Sequence, residues 1–172
     1  MISGSSILGI SGASGSIGSK AKYSKKILRI ESRLEDSLSH ISQEFSDKSI
    51  SRYIHLAAIT DVNLCNLNPD LCFLNNTDNA VKFYLAAREA KVKRFIFVST
   101  SHVYKVSQSS LLDINSPLGP ISNYGKSKLS AEKKLSKLDE GFHSLSIARV
   151  FSVLDKSARE HFLFQGLLRR AR

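Results

Sequence analysis

Ser11-Gly12-Ala13-Ser14-Gly15-Ser16-Ile17-Gly18 stands directly after an apolar run at residues 7–11 (ILGIS) and ahead of a lysine-rich stretch. Its glycines follow the spacing G-x-x-G-x-x-G. A tight turn needs a residue without a Cβ at Gly12, a pyrophosphate can approach the backbone at Gly15, and Gly18 favours close packing of strand on helix. Ser14, Ser16 and Ile17 belong to the same turn. A helix predicted from about Ser16 presents unpaired N–H groups and its positive end to an anion. A flexible Gly/Ser loop would share this composition, but the position, inside the first strand–turn–helix unit, points to dinucleotide binding.

Working outward from that turn, short apolar runs alternate with helical stretches. Strands are predicted at residues 7–11, 27–30 (ILRI), 53–57 (YIHLA), 94–99 (RFIFVS) and 144–150 (SLSIARV). Asn68-Pro69 signals a helix start, because proline at the first helical position gives up an N–H that has no partner anyway. An imperfect helical stripe follows at Leu71, Leu74, Val81, Leu85 and Ala86. A further helix is expected over residues 122–138. Alternating strands and helices imply βαβ units: an α/β, doubly wound parallel sheet with helices on both faces. Such sheets bind ligands at the carboxyl ends of their strands, so chemistry is sought just after Ser11, Ala57 and Ser99.

The chain has 172 residues, 42% of them hydrophobic, enough for one domain with a core. No apolar run approaches the roughly 18 residues of a membrane span, and residues 1–4 lack the charged start of a secretory signal. Neither membrane insertion nor secretion is expected. Cys65 and Cys72 are too few for a disulfide scaffold or a four-ligand zinc site, so no metal centre is expected and a reduced, cytoplasmic compartment is the default. The formal charge of +10 raises nucleic-acid binding. The basic residues are scattered in clusters along the chain, however, and no nucleic-acid motif accompanies them. The charge reads as solvated surface, with any functional part aimed at the phosphates of a small ligand.

Two further constellations carry chemistry. His55-Leu56-Ala57-Ala58 ends a strand with small residues against which a ribose can lie, while His55 taken alone reads as a satisfied core histidine. Ser99-Thr100-Ser101 ends the next strand with three hydroxyls. Tyr124 and Lys128 lie four residues apart and share a helix face. A tyrosine near its usual pKa of about 10 is a poor base at neutral pH; an ammonium nearby favours the phenolate and lowers it. A strand-end hydroxyl then holds a substrate oxygen beside the tyrosine. The bland reading of the same pair is a surface Tyr/Lys contact.

In this order the motifs SGASGSIGS, HLAAITDV with CNLNP, AAREAKVKRFIFVSTSHVY and PISNYGKSKLSAEK, which together cover most of residues 7–150, resemble the extended short-chain dehydrogenase/reductase superfamily. The branch is that of NAD-dependent nucleotide-sugar epimerases, dehydratases and reductases of the dTDP-4-dehydrorhamnose reductase kind. The resemblance implies a Rossmann-like fold, bound NAD or NADP, hydride transfer at a sugar carbon and a nucleotide-sugar substrate. It makes Thr100 the catalytic hydroxyl, Tyr124 the general acid/base, and Lys128 the residue that tunes Tyr124 and binds the nicotinamide ribose. Gly12, Gly15 and Gly18 match the pyrophosphate turn, Ala57 and Ala58 the wall beside the ribose, and Asn76 the asparagine of the helix after Asn-Pro; Ser99 joins the cofactor-binding set. A homodimer through residues 70–90 and 122–138 is also implied.

Departures from the family pattern sharpen the expectation. Only 37 positions separate Gly18 from His55, so the region of the second and third strands must be compressed, with room for one strand fewer. Glu31 stands near the place of an acidic residue that binds a ribose 2′-hydroxyl and would favour NAD; Arg33 suits the 2′-phosphate of NADP, and its basic surroundings tilt the choice towards NADP. Ser101 and His102 replace the Asp-Glu of dehydratases, which leaves epimerisation or ketoreduction. Residues 1–155 are assigned to the cofactor-binding domain and 156–172 to a tail that begins a largely missing substrate lobe. The alternative is a catalytically impaired or truncated Rossmann module that binds dinucleotide or a protein partner without turnover.

Overall fold

The computed structural model describes residues 6–21, 23–106, 111–142 and 144–151. Five strands, β1 (Ile7–Ile10), β2 (Ile27–Arg29), β3 (Ile50–His55), β4 (Arg94–Thr100) and β5 (Leu145–Val150), form one parallel sheet in the order β2-β1-β3-β4-β5. That is the six-strand dinucleotide-binding order with its outermost strand gone. The expected compression therefore falls on the edge of the sheet, and the ligand-binding centre between β1 and β3 is kept.

The helices are α1 (Leu38–Asp47), α2 (Val62–Leu67), α3 (Pro69–Phe73), α4 (Asn79–Glu89) and α5 (Asn123–Leu138), with a π-helical turn at Leu74–Asp78 joining α3 to α4. Proline opens α3 at its first turn, as Asn68-Pro69 signals. Ser122 caps α5 by accepting from the Gly125 N–H. The sequence reading does not include α1. Its signals are nonetheless present: Ser37 accepts from the His40 N–H, and Leu38, Ile41 and Phe45 return to one face. This helix carries the crossover from β2 over β1 to β3.

The core is aromatic. Tyr53 of β3 lies 4.8 Å from Phe45, 5.2 Å from Phe95 and stacked at 6.1 Å on Phe83, all between ring centres. Residues of α1, α4 and α5 join Tyr53, Phe95 and Phe97 in a single buried cluster. Among the described residues, the long helices α1, α4 and α5 thus pack together on one face of this Rossmann-like sheet. Handedness gives the reason. Steps from β2 to β3, β3 to β4 and β4 to β5 all run the same way along the sheet, so right-handed crossovers put α1, α4 and α5 on one side. Only the step from β1 to β2 runs backwards and would place a helix opposite.

That helix, expected from Ser16, does not form. A single 3-10 turn, Gly18–Lys20, is followed by extended backbone at Ala21, and the Tyr23 hydroxyl closes the turn by donating to Gly18 O at 2.9 Å. Only eight residues separate Gly18 from the start of β2 at Ile27, so no long helix can form between them.

No helix among the described residues is long and apolar enough to cross a membrane. The domain boundary expected at 155/156 and the tail at 156–172 lie outside the described residues.

Candidate active site

The glycine turn is shaped by two close approaches. Gly12 has φ +65°, and a Cβ there would stand 2.8 Å from Ala57 N. A Cβ on Gly18 would reach within 2.3 Å of Gly12 O. Neither position accepts a side chain without moving backbone. Ser14, Gly15 and Ile17 are exposed on the turn and Ser16 is partly so. Because the following helix is absent, any anion is met here by the N–H groups of the turn, without the focused positive end of a long helix.

The carboxyl end of β3 leans against this turn through a buried histidine. His55 Nδ1 lies 3.1 Å from the Tyr53 hydroxyl and 3.3 Å from Ser11 Oγ, and Ser11 Oγ accepts from the Ala57 N–H at 3.4 Å. Its rings of contact are Phe83, Phe95 and Phe97, and its Nε2 has no hydrogen-bond partner. Burial, helped by the charge of Lys128, pushes His55 down to about 3. It is a core histidine, neutral at ordinary pH, that holds the ends of β1 and β3 together. Ala57 and Ala58 follow it, half-buried.

Asn76 sits in the π-helical turn, fully buried, and uses its amide on four partners. Its Oδ1 accepts from Ile59 N at 2.8 Å; its Nδ2 donates to Ile59 O at 2.9 Å and to Ser127 Oγ at 3.1 Å, and lies 3.2 Å from Cys72 Sγ. The extra residue of a π turn aims this side chain across to the loop after β3. Asn76 therefore braces the wall formed by residues 57–59 against α5, which is a positioning geometry. Cys72 is itself bonded to Cys65 in a disulfide that links α2 to α3, where the reduced compartment expected from the sequence implies two thiols.

Thr100, Tyr124 and Lys128 converge where β4 meets α5. Thr100 is buried at the strand end; its Oγ1 accepts from His102 N, and its hydroxyl lies near enough to Tyr124 to favour the phenolate. Tyr124 is half-buried, with His102 edge-on to its ring at 5.6 Å between centres. Burial raises the Tyr124 hydroxyl above its usual range, and the Thr100 hydroxyl pulls against that rise. Lys128 is buried one helical turn on, with Nζ 4.0 Å above the centre of the Phe97 ring. Burial presses its ammonium down to about 7, opposed by the Glu132 carboxylate.

Ser99 is buried, but its hydroxyl donates to Glu132 and is already engaged. Glu132 in turn holds Arg149 of β5 by two hydrogen-bonding edges. Neither Glu132 nor Arg149 was among the residues singled out from the sequence. The signal for Glu132 is there, since it continues the four-residue spacing of Tyr124 and Lys128 along one helix face.

At the other end of the strand row, Glu31 and Arg33 are exposed. The Glu31 and Ser32 N–H groups donate to the Glu44 carboxylate at 2.8 and 2.9 Å, and Lys48 pairs with the same group. Burial raises the Glu44 carboxyl, but these donors outweigh it and hold it below the usual range. Arg33 donates its N–H to Asp36 and faces Glu35 at 3.8 Å. Lys82 of α4 ties the same loop down through the carbonyls of Leu34 and Asp36. The loop is fixed by α1 and α4, while both candidate discriminating side chains point to solvent.

A glycine turn, a braced strand-end wall and a Thr/Tyr/Lys group thus lie along one edge of a parallel sheet. The model of the NAD dependent epimerase/dehydratase family matches residues 14–169. The chain belongs to that family. Among curated relatives it is 30% identical over 114 residues to a UDP-glucose 4-epimerase of Lacticaseibacillus casei, covering 66% of this chain and 34% of that protein. Among solved structures, a UDP-glucose 4-epimerase complex with NAD from Thermus thermophilus superposes with a TM-score of 0.80 at 20% identity, over 95% of this chain and 61% of that one. A dTDP-4-dehydrorhamnose reductase from Bacillus anthracis in complex with NADP gives 0.76 at 23% identity, over 90% and 56%. At these identities the structural likeness establishes the Rossmann-like fold. The chain spans about a third of the length of the first curated relatives and less than two thirds of these solved chains.

Proposed function

We propose that the chain is the cofactor-binding and catalytic half of an NAD(P)-dependent nucleotide-sugar epimerase or ketoreductase, with Tyr124 as general acid/base. The observation that carries this reading is the convergence of buried Thr100, at the end of β4 and near enough to lower the Tyr124 hydroxyl, on Tyr124, with buried Lys128 one turn along the same helix. The residues fit a nicotinamide dinucleotide at the end where chemistry would occur: Gly12 packs so closely on Ala57 that a Cβ would meet its N at 2.8 Å, which brings the glycine turn against the end of β3, and Asn76 fixes the adjoining wall. A dinucleotide bound there supplies the hydride acceptor and donor. Gly12, Ser14, Gly15, Ser16, Ile17 and Gly18 would hold its pyrophosphate, Ala57, Ala58 and Ser99 would line it, and Lys128 would bind the ribose beside the ring. Both NAD and NADP are found in the structural neighbours. Arg33 remains the side chain that would favour NADP, and Glu31 the one that would favour NAD.

For the sugar, Thr100 and Tyr124 present two hydroxyls to one oxygen. As a carbinol C–H bond breaks with its electron pair leaving as hydride, Tyr124 takes the hydroxyl proton; in the reverse direction it returns it. A charged Lys128 would favour the tyrosinate against the burial that raises Tyr124, and its own lowered pKa makes that charge depend on pH near neutrality. Ser101 and His102 stand where a dehydratase would carry its acid pair, so hydride exchange rather than water loss is the proposed chemistry. Tyr124→Phe should lower turnover of a UDP- or dTDP-sugar by about 10²–10⁴-fold while nucleotide affinity changes little. Turnover surviving that substitution would overturn the assignment. Tight binding of NAD(H) or NADP(H) without turnover in the unaltered chain would instead favour a non-catalytic dinucleotide-binding module.

A further inference from the structure

The ion pair between buried Glu132 and half-buried Arg149 lies next to the proposed site but belongs to none of its assigned roles. Glu132 is 4% exposed, and Arg149 closes on it with Nη2 at 2.8 Å from Oε2 and Nε at 3.2 Å from each oxygen. Ser99 donates to Oε1 from the end of β4. Arg149 also donates from Nη1 to the Tyr104 hydroxyl at 3.2 Å and to Ile114 O at 3.3 Å, with its guanidinium 5.0 Å over the Tyr104 ring. One carboxylate and one guanidinium therefore connect α5, the end of β4, β5, the turn at Ser101–Val103 that leads into Tyr104, and the segment at residue 114.

We propose that Glu132 and Arg149 are positioning residues whose ion pair fixes the helix bearing Tyr124 and Lys128 against the carboxyl ends of β4 and β5. The logic is geometric. Tyr124, Lys128 and Glu132 follow one another at single turns, so anchoring Glu132 sets the rotation and height of α5. Ser99, which holds the anchor, precedes Thr100, which meets Tyr124. A buried pair of this kind is weak as a source of stability, since desolvation of both ions offsets their attraction. It is strong as a fixture, because a bidentate guanidinium–carboxylate contact admits little rotation.

The inference rests on the assignment of Tyr124 and Lys128 given above, and its test needs no turnover. The charged or titratable groups that interact with Lys128 are Glu132 on its own helix and His55 from β3, and Glu132 is in turn paired with Arg149 of β5. In protein labelled with 13C at the lysine ε-carbon, the Lys128 resonance is assigned by its loss in Lys128→Met and followed against pH. The unaltered chain should titrate near pH 7. Glu132→Gln, which keeps an acceptor for Ser99 but abandons the charge, should move that midpoint down by about one unit and weaken NADH binding about tenfold. Glu132→Met with Arg149→Leu replaces the pair by apolar groups that buried sites tolerate. It should fold cooperatively yet show the same two changes. A folded variant with Lys128 titrating and NADH binding as in the unaltered chain overturns the proposal. Failure of both variants to fold overturns it too, since the pair would then be a folding element. Both changes appearing as expected, in a chain that turns over no nucleotide sugar, would support the positioning role while counting against the catalytic reading.

Discussion

Acid should unfold this protein through His55 more steeply than carboxylates alone would. The ring is buried among three phenylalanines, its Nδ1 faces the hydroxyls of Tyr53 and Ser11, and its Nε2 has no partner. Its folded pKa is about 3, against about 6.5 when the chain is unfolded. Between those values the unfolded chain binds a proton that the folded one refuses, so stability falls as pH falls, by about 1.36 kcal/mol per unit. From pH 7 to pH 4.5 the loss integrates to about 2.5 kcal/mol. The comparison that isolates it is His55→Gln, which removes the titration at a constant cost of about 1–3 kcal/mol for the disturbed hydrogen bonds. Glu44 and Asp139, also lowered, weaken both proteins equally in acid and cancel. Urea unfolding followed by circular dichroism at pH 7, 5.5 and 4.5 should show the gap between the two proteins narrowing or reversing by about 2.5 kcal/mol. With a urea slope of about 1–3 kcal/mol/M this is roughly 0.8–2.5 M in midpoint. Curves for the two proteins that decline in parallel would refute the buried, unprotonated histidine.

Other expectations follow from the same geometry. Lys128, with its ammonium lowered to about 7, gives the opposite flank: the unfolded chain holds a proton up to about pH 10.4, so stability should rise between pH 7 and 10, and Lys128→Met should remove that rise. Gly18→Ala should be costly, about 1–3 kcal/mol by thermal unfolding, and should weaken NAD(P)H binding, because its Cβ meets Gly12 O at 2.3 Å; Gly15→Ala, at 3.3 Å from the same atom, should be milder in both assays. Reduction of Cys65–Cys72 opens a short loop and should destabilise by about 2–3 kcal/mol on the chain-entropy estimate, read as a fall in urea midpoint with dithiothreitol. Leu67, Leu71 and Leu74 are exposed on the α3 side, so Leu67→Glu with Leu71→Glu should convert a dimer to a monomer in sedimentation if that face pairs two copies.

The sheet was legible because apolar runs bounded by turns are short-range signals, and all five strands fall within the expected runs or overlap them. Where the reading failed, the deciding fact was not local. The residues after Gly18 look helical by composition, yet they form a single 3-10 turn closed by Tyr23 on Gly18 and lead within eight residues into β2. Helix α1 was obscured for the converse reason: its buried stripe is only Leu38, Ile41 and Phe45, diluted by serines, and its place is fixed by packing on Tyr53 and Phe83. At the site, Thr100, Tyr124 and Lys128 were legible as a spacing, and the structure brings them together. Asn76 was legible only through a resemblance, because its work is done by a π turn that no periodicity reveals. The Glu132–Arg149 pair joins residues 17 apart on different elements, and a lone acidic residue on a lysine-rich helix reads as solvated until its partner is seen.

The compression also changes how the basic charge should be understood. In the full-length arrangement a long helix after the glycine turn would lend a positive end to the pyrophosphate. Here the turn closes on itself through Tyr23, and the backbone offers an anion only the N–H groups of the turn. Arg29, stacked 4.8 Å over the Tyr23 ring, and the neighbouring lysines then supply by side-chain charge some of what the helix would supply by its dipole. Such a substitution differs in kind. A helix terminus within contact distance is screened little, whereas exposed side chains act through solvent over a Debye length of about 8 Å at physiological salt. Dinucleotide affinity in this chain should accordingly depend on ionic strength more than geometry of the glycine turn alone would require. Titrating NADH at about 20 and about 300 mM salt measures it. A several-fold loss at the higher salt is expected, and affinity flat with salt would show that the turn holds the anion without help from the basic residues beside it.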